Sequence, residues 1–402
     1  MGPTQTIAER LAEGKRVLAT PQRYPLLVVR LLYFCYYMAF SIYVTYINIY
    51  FLSIDLTGLQ IGLINTISPL LGMISSPMWG MFSDRLGNVR FLMMMAVGGA
   101  SLSILGFTTT QTYLAILFLA GAYSLFTSSI VPLLDSTTLL QLGTNREKYG
   151  LIRVWGTGGF IIAAWVSGSI FEEVGLDVMF YWMAIILLIF FVMLLWLPGR
   201  RVTLRTPVIS GFLQLIRHPS WFFFSASLLV MGVASSGLHI FLGILIKEIG
   251  GTDALVGKAY SLGALTEIPI MLSSVVLLKR FSPRLLLSFA YILYFIRLLL
   301  FGVITSTGLV LPINLLHGVT FGLYWIASIA IANEIAPDSL RATAQGTLMA
   351  ILSFSGALGG FLSGWIFDIY GTAWLFRIYS VFALVALLLL WFMREGYSDQ
   401  PS

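Results

Sequence analysis

The sequence predicts an all-α integral membrane protein with twelve transmembrane helices in two parallel six-helix halves. Three observations carry this expectation. Of 402 residues, 58% are hydrophobic and 10% are charged, against about 25% charged in a soluble domain. Mean hydropathy is +0.92, and apolar runs recur at the length of a bilayer crossing, about 20 residues. Twelve such runs take up about 240 residues and leave short loops, so no separate domain outside the membrane fits.

In order, the runs between polar breaks are 26–52, 58–82, 91–107, 113–141, 149–171, 178–197, 221–246, 255–278, 285–304, 309–335, 342–367 and 373–392. Residues 1–25 are expected in the cytoplasm, where Ile7, Leu11 and Leu18 suit a short interfacial helix as well as a frayed tail. The first run is too long for a signal-peptide core and is expected to stay in the mature chain. The polar stretch 199–220, with Arg200, Arg201, Arg205 and Arg217, reads as a cytoplasmic linker. It divides a half at 26–198 from a half at 221–393, and 394–402 forms a cytoplasmic tail. A shift of 195 residues lays Gly62 on Gly257, Arg85 on Arg280 and Arg146 on Arg341, the weak internal repeat that parallel halves leave.

With both termini cytoplasmic, the inner segments hold 17 of the 23 Lys and Arg, the outer segments three (Lys247, Lys258, Arg377) and the spans three. The positive-inside rule accounts for that bias and points to the inner membrane. The net charge of +6 does not indicate nucleic acid, because the bases are scattered between apolar runs instead of gathered in a patch. Cys35 is the single cysteine, which excludes a disulfide framework, a zinc cluster and a CxxC pair. The stretch from Gly251 to Lys258 has the wrong glycine spacing for a phosphate loop and no Ser or Thr after the lysine. HExxH and GxSxG are also missing from the sequence. No cofactor, metal or enzyme chemistry is expected.

Between the second and third runs lies Gly80-Met-Phe-Ser83-Asp84-Arg85-Leu-Gly87-Asn-Val-Arg90, a glycine-rich turn that lets two helices approach closely. Its counterpart, Lys279-Arg280-Phe281-Ser282-Pro283-Arg284, has Lys279 where the acid would stand. Inside the spans, an ionisable residue costs about 2.5–3.5 kcal/mol at a helix centre and is kept for pairing or function. Asp135, Arg153, Glu267 and Arg297 qualify, and His317 lies at similar depth. Left unpaired, the four charges would cost about 10 kcal/mol. Opposite charges are therefore expected to meet, Asp135 with Arg153 and Glu267 with Arg297, around a polar cavity.

Tyr36, Phe40, Tyr43 and Tyr50 recur at helical spacing along the first run, with Tyr33 and Tyr46 alongside. This stripe fits either a cavity wall or helix packing. Trp155, Phe160 and Trp325 are candidates for a stacking surface. His239, lacking a second ligand, reads as a packing or gating residue and not a metal site.

The glycine-rich turn resembles the loop motif of the major facilitator superfamily, which implies a twelve-helix fold. It also implies that Gly80, Asp84, Arg85, Gly87 and Arg90 control the conformational switch. The stretch Tyr149-Gly150-Leu-Ile-Arg153-Val-Trp155-Gly156-Thr-Gly-Gly159-Phe160, the spacing of Asp135 to Arg153 and that of Arg297 to His317 are similar to the superfamily's proton-coupled sugar permeases. The stretch Glu334-Ile-Ala-Pro337-Asp-Ser-Leu-Arg341-Ala-Thr-Ala-Gln345-Gly346 resembles the related phenylpropionate branch, beside which stand the nucleoside:proton symporters. The resemblance implies substrate contacts from Asp135, Arg153 and Glu267 and a coupling network that includes Arg297 and His317; Trp155, Phe160, Tyr36 and Tyr43 are candidate walls of the same cavity by residue type and spacing. One departure is Thr320, which stands where the sugar permeases carry a coupling glutamate, so Glu267 or Asp135 must carry the proton, and Glu267 is the expected carrier because of its midplane depth. The function expected is proton symport of a sugar, nucleoside or aromatic carboxylate by a monomer in membrane lipid. Proton-coupled efflux of hydrophobic or drug-like compounds is the alternative, and a sensor role is disfavoured because no output domain fits.

Overall fold

The backbone N–H and C=O groups of a membrane span must be satisfied within the segment, which leaves the apolar runs a choice of helix or closed barrel. The computed structural model describes residues 26–197, 215, 219–337 and 340–393, and the side chains of 76, 77, 80 and 83–86 are not among those described. The expected N-terminal segment, tail and most of the linker lie outside the described residues. All regular structure among the described residues is helical.

The first half contains α1 (Leu26–Ser53), α2 (Gly58–Leu86) and α3 (Val89–Gly106), then α4 (Tyr113–Thr127) and α5 (Ile130–Leu142), then α6 (Tyr149–Val174) and α7 (Val178–Met193). The fourth crossing is interrupted where Ser128 and Ser129 turn their hydroxyls onto the carbonyls of Leu125 and Phe126, at 3.0 and 3.1 Å. Such back-bonding loosens the helical ladder, and α5, with Asp135, restarts beyond it. The second half contains α8 (Pro219–Glu248), α9 (Asp253–Leu272), α10 (Ser274–Arg280), α11 (Pro283–Val303), α12 (Val310–Asn314), α13 (Leu316–Ile335) and α14 (Arg341–Trp391). Helix α9 bends by 55° into α10, so the pair makes one crossing.

Among the described residues ten helical segments are long and apolar enough to cross a membrane, eleven with the bent pair. The twelfth crossing is inside α14. Its 51 residues would measure about 77 Å as a straight helix, against about 30 Å of hydrocarbon. The chain turns at Gly371, whose φ of 77° and ψ of 176° suit a residue without a Cβ. The loop expected at 368–372 is therefore a loopless hairpin.

The halves meet along two crossings related by the 195-residue repeat. At the first, a Cβ on Gly62 of α2 would collide with Gly360 O, and one on Gly364 of α14 with Gly58 O. At the second, a Cβ on Gly257 of α9 would collide with Ala164 O, and one on Gly168 of α6 would lie 2.6 Å from Asp253 O. Only glycine permits this backbone approach. Each crossing also carries a carboxylate on the amides that open a helix. Asp368 accepts from Gly58 N at 2.6 Å and Leu59 N at 2.8 Å, while Glu172 accepts from Ala254 N at 3.3 Å. Thr66 Oγ1 to Ala357 O at 2.9 Å and Ser261 Oγ to Ile161 O at 2.8 Å mark how far the hydrogen-bonded contact extends. The interface is thus closed at the end that carries residues 54–57 and 249–252.

Candidate functional site

In the first half the site rests on α1, α5 and α6. Gly156 lets α6 approach Tyr37, and Gly159 packs on the backbone of Phe34, which brings Arg153 onto the aromatic face of α1. Its guanidinium carbon lies 4.6 Å from the centre of the Tyr37 ring and 5.4 Å from that of Tyr33, a cation–π geometry. Arg153 Nη2 donates to the Tyr37 hydroxyl. Asp135 accepts from the Tyr33 hydroxyl, and Arg153 Nε lies 3.8 Å from Asp135 Oδ1. The two charged side chains keep 34% and 31% exposure, so each retains polar atoms for another partner. Thr138, one turn after Asp135, donates to the Tyr33 hydroxyl at 3.3 Å.

In the second half α9, α11 and α13 build a relay. Arg297 is 2% exposed, and three acceptors surround it: Asn314 Oδ1 at 2.6 Å, His317 Nδ1 at 3.0 Å and Thr320 Oγ1 at 3.4 Å. A guanidinium has donors only, so His317 Nδ1 accepts and the ring's proton sits on Nε2. That nitrogen lies 2.8 Å from Glu267 Oε1. Glu267 and Arg297 thus communicate through an imidazole instead of touching, which corrects the expectation of a direct pair. The reason is helix rotation: His317 projects from α13 into the gap between α9 and α11. Asn314 Nδ2 donates to Ala259 O at 2.5 Å and fixes the relay to α9. Gly263 leaves room for the ring, since a Cβ there would lie 3.0 Å from His317 Cδ2.

The structure divides the aromatic candidates. Phe160 follows Arg153 by seven residues, about two turns, and shares its face, with its ring 6.4 Å from that of Phe40. Trp155 lies about 200° round the helix from Arg153 and puts its edge on Phe34 at 6.5 Å. Tyr36 is buried between Tyr37, Phe40 and Phe190, and Tyr43 packs on Tyr123 at 4.5 Å. Tyr46 donates to Ala164 O at 3.0 Å and Tyr50 packs on Phe180 at 4.8 Å. The stripe is mostly packing, and the tyrosines that meet the charges are Tyr33 and Tyr37. Tyr37, Thr138 and Asn314 were missed as site residues; the one-turn spacing of Tyr33 and Tyr37 is the signal that could have found the first.

In the glycine-rich turn, Gly80, Asp84 and Arg85 have side-chain positions outside the described set. Gly87, with φ of 63°, makes the tight connection from α2 to α3. Arg90 donates to Leu195 O at 3.3 Å, and in the second half Arg284 donates to Trp391 O at 2.8 Å. The repeat therefore ties each of these turns to the end of its own half's last crossing. His239, read as a packing or gating residue, is exposed. No group of three His, Cys, Asp or Glu suited to a metal occurs among the described residues.

A family model described as "MFS_1 like family" matches residues 26–378. The chain is similar to the maltose permease of Geobacillus stearothermophilus, 26% identical over 369 residues, covering 90% of this chain and 93% of that one. It is also similar to the probable 3-phenylpropionic acid transporter of Escherichia coli strain K12, 27% identical over 380 residues, covering 88% and 93%. Among solved structures, that of the nucleoside transporter NupG superposes with a TM-score of 0.82 at 18% identity, covering 92% of this chain and 98% of that one.

Proposed function

This chain belongs to the MFS_1 like family, and from that premise we propose that it moves a small polar organic solute across the membrane by alternating access, coupled to proton symport. The solute class is a sugar, a nucleoside or an aromatic carboxylate. The observation that carries this reading is one polar centre in each half, Asp135–Arg153 and Arg297–His317–Glu267, between halves that meet closely at one end. Arg153 can give two parallel donors to a solute oxygen, with Asp135 as an acceptor beside it. In the relay, Glu267 is the acid, 2.8 Å from a donor, and taking up a proton there changes the charge of the whole chain of groups. The relatives named for maltose and 3-phenylpropionic acid support the range of solutes.

Under the positive-inside reading both termini are cytoplasmic in the inner membrane and the closed end faces outward. The exchange between states needs Gly62 to part from Gly364 and Gly257 from Ala164, with Asp84 acting in its turn. The protein works as a monomer in lipid. The test is uptake of maltose, uridine and 3-phenylpropionate into proteoliposomes under an imposed pH gradient, with an internal pH dye following the proton. Accumulation of one solute with inward proton flow is expected. If none of the three accumulates while the vesicles expel ethidium, the efflux reading replaces this one.

A further inference from the structure

We propose that His239 contacts the solute and reads one of its hydroxyl groups, which extends the transport reading above and rests on it. Between residues 223 and 247 of α8, His239 is the one exposed side chain. The rest of the helix is enclosed. Ser236 and Gly237 pack on Gly359 and Tyr379 of α14, Gly243 packs on Ile49 of α1, and Tyr260 of α9 donates to His239 O at 3.2 Å. A side chain exposed in the middle of so enclosed a helix opens onto the space inside the bundle, not onto lipid.

Its surroundings give that space a chemical character. The His239 ring lies 6.4 Å from that of Phe321, nearly perpendicular. Phe321 stacks on His317 at 5.6 Å, and Trp325 stacks on Phe321 at 6.1 Å. This aromatic wall rises from the relay along α13. Within the described residues neither ring nitrogen of His239 has a hydrogen-bond partner, whereas both nitrogens of His317 are engaged. Two unpaired polar atoms in hydrocarbon would be costly, so they face water or solute.

A neutral imidazole offers one donor and one acceptor. Its full complement is a hydroxyl, which both donates and accepts; a carboxylate only accepts. The arrangement therefore suits a hydroxylated solute with a flat face against Phe321 and Trp325. Both ring nitrogens of His317 and both terminal nitrogens of Arg297 are engaged, by each other and by Glu267 and Asn314, so the two are positioning groups.

Two measurements on the full chain test this. In a Cys35→Ser background, His239→Cys should react with methanethiosulfonate ethylammonium, a water-soluble probe, at least about tenfold faster than Ile185→Cys on the outer face of α7, since lipid excludes the reagent. Equal rates overturn the cavity position. In the uptake assay, His239→Phe should raise KM for maltose or uridine about tenfold with kcat nearly unchanged, the size of one lost hydrogen bond. His239→Asn, which keeps a donor and an acceptor, should recover most of that loss, and neither change should alter KM for 3-phenylpropionate. An unchanged KM for the hydroxylated solute in His239→Phe overturns the contact. If the wild type carries none of the three solutes, the transport reading fails, and the labelling rates alone decide the placement of His239.

Discussion

Arg297 decides which nitrogen of His317 carries the proton. The 3.0 Å contact between Nη1 and Nδ1 is possible only with an acceptor on the imidazole, so its single N–H is directed at Glu267. The chain of groups thus has a polarity. A second proton on His317 would set two cations face to face and break the link.

That polarity makes Glu267→Gln an informative change. The amide oxygen still accepts from His317 Nε2, so the fold should hold, but the side chain can no longer carry a proton. Uphill accumulation should be lost while solute counterflow, which needs no net proton movement, persists. Accumulation in the variant that still collapses with an uncoupler would remove Glu267 from the coupling role.

Arg297→Gln should destabilise the second half. His317, Asn314 and Thr320 each lose a buried donor, and an unsatisfied buried polar group costs about 1–3 kcal/mol. Arg297→Lys should recover little, because an ammonium lacks the planar fork that spans separate acceptors. Thermal melting of the purified variants measures this, and melting at the wild-type temperature by both would contradict the relay.

At the first centre, Arg153→Lys keeps the charge but loses the flat group stacked on Tyr37 and the two-pronged donor. Solute binding should collapse, with expression unchanged. If the pair were only structural, Asp135→Asn combined with Arg153→Gln would restore binding, since neither charge is then left alone. The expected result is a folded double variant without a ligand-induced thermal shift.

Asp368→Asn together with Glu172→Gln should loosen the closed end. Charge-assisted bonds to helix-opening amides are stronger than neutral ones, and weakening both clamps by about 1–2 kcal/mol in total shifts a two-state population roughly tenfold. Spin labels at Ser53→Cys and Tyr370→Cys in a Cys35→Ser background should show a new, longer distance population. A distribution identical to that without the clamp changes would mean that the glycine crossings alone hold the end shut.

Much of the fold was legible because a bilayer makes hydropathy nearly sufficient: the end of α1 at Ser53 and the span of α6 follow from the apolar runs. Capping chemistry readable in one dimension went unused: Asn88 accepts from Phe91 N and Ser282 accepts from Leu285 N. The repeat was legible too, and Gly62 and Gly257 do occupy equivalent crossings. What stayed hidden depends on how helices are rotated against one another. His317 stands between Glu267 and Arg297, Tyr37 and not Tyr36 meets Arg153, and His239 opens inward, because of angles about the helix axes that spacing does not encode. Asp368 was hidden for another reason: an acid at the end of a span reads as solvated, yet its partners lie 310 residues away.

The turn at Gly371 has a consequence for how the chain is made. The last two crossings leave the ribosome joined by a single non-helical residue, Gly371, a connection suited to insertion as a helical hairpin. Protein groups cap their joint on both sides. Asp368, just before it, is completed by the first amides of α2, and Thr372, just after it, donates to Glu248 of α8 at 2.6 Å. In the finished fold the second and seventh crossings therefore supply the groups that close the tip of the final hairpin. A chain cut after Thr372 would leave Gly371 with no second arm to turn, and the clamp on α2 would have nothing to hold it in place.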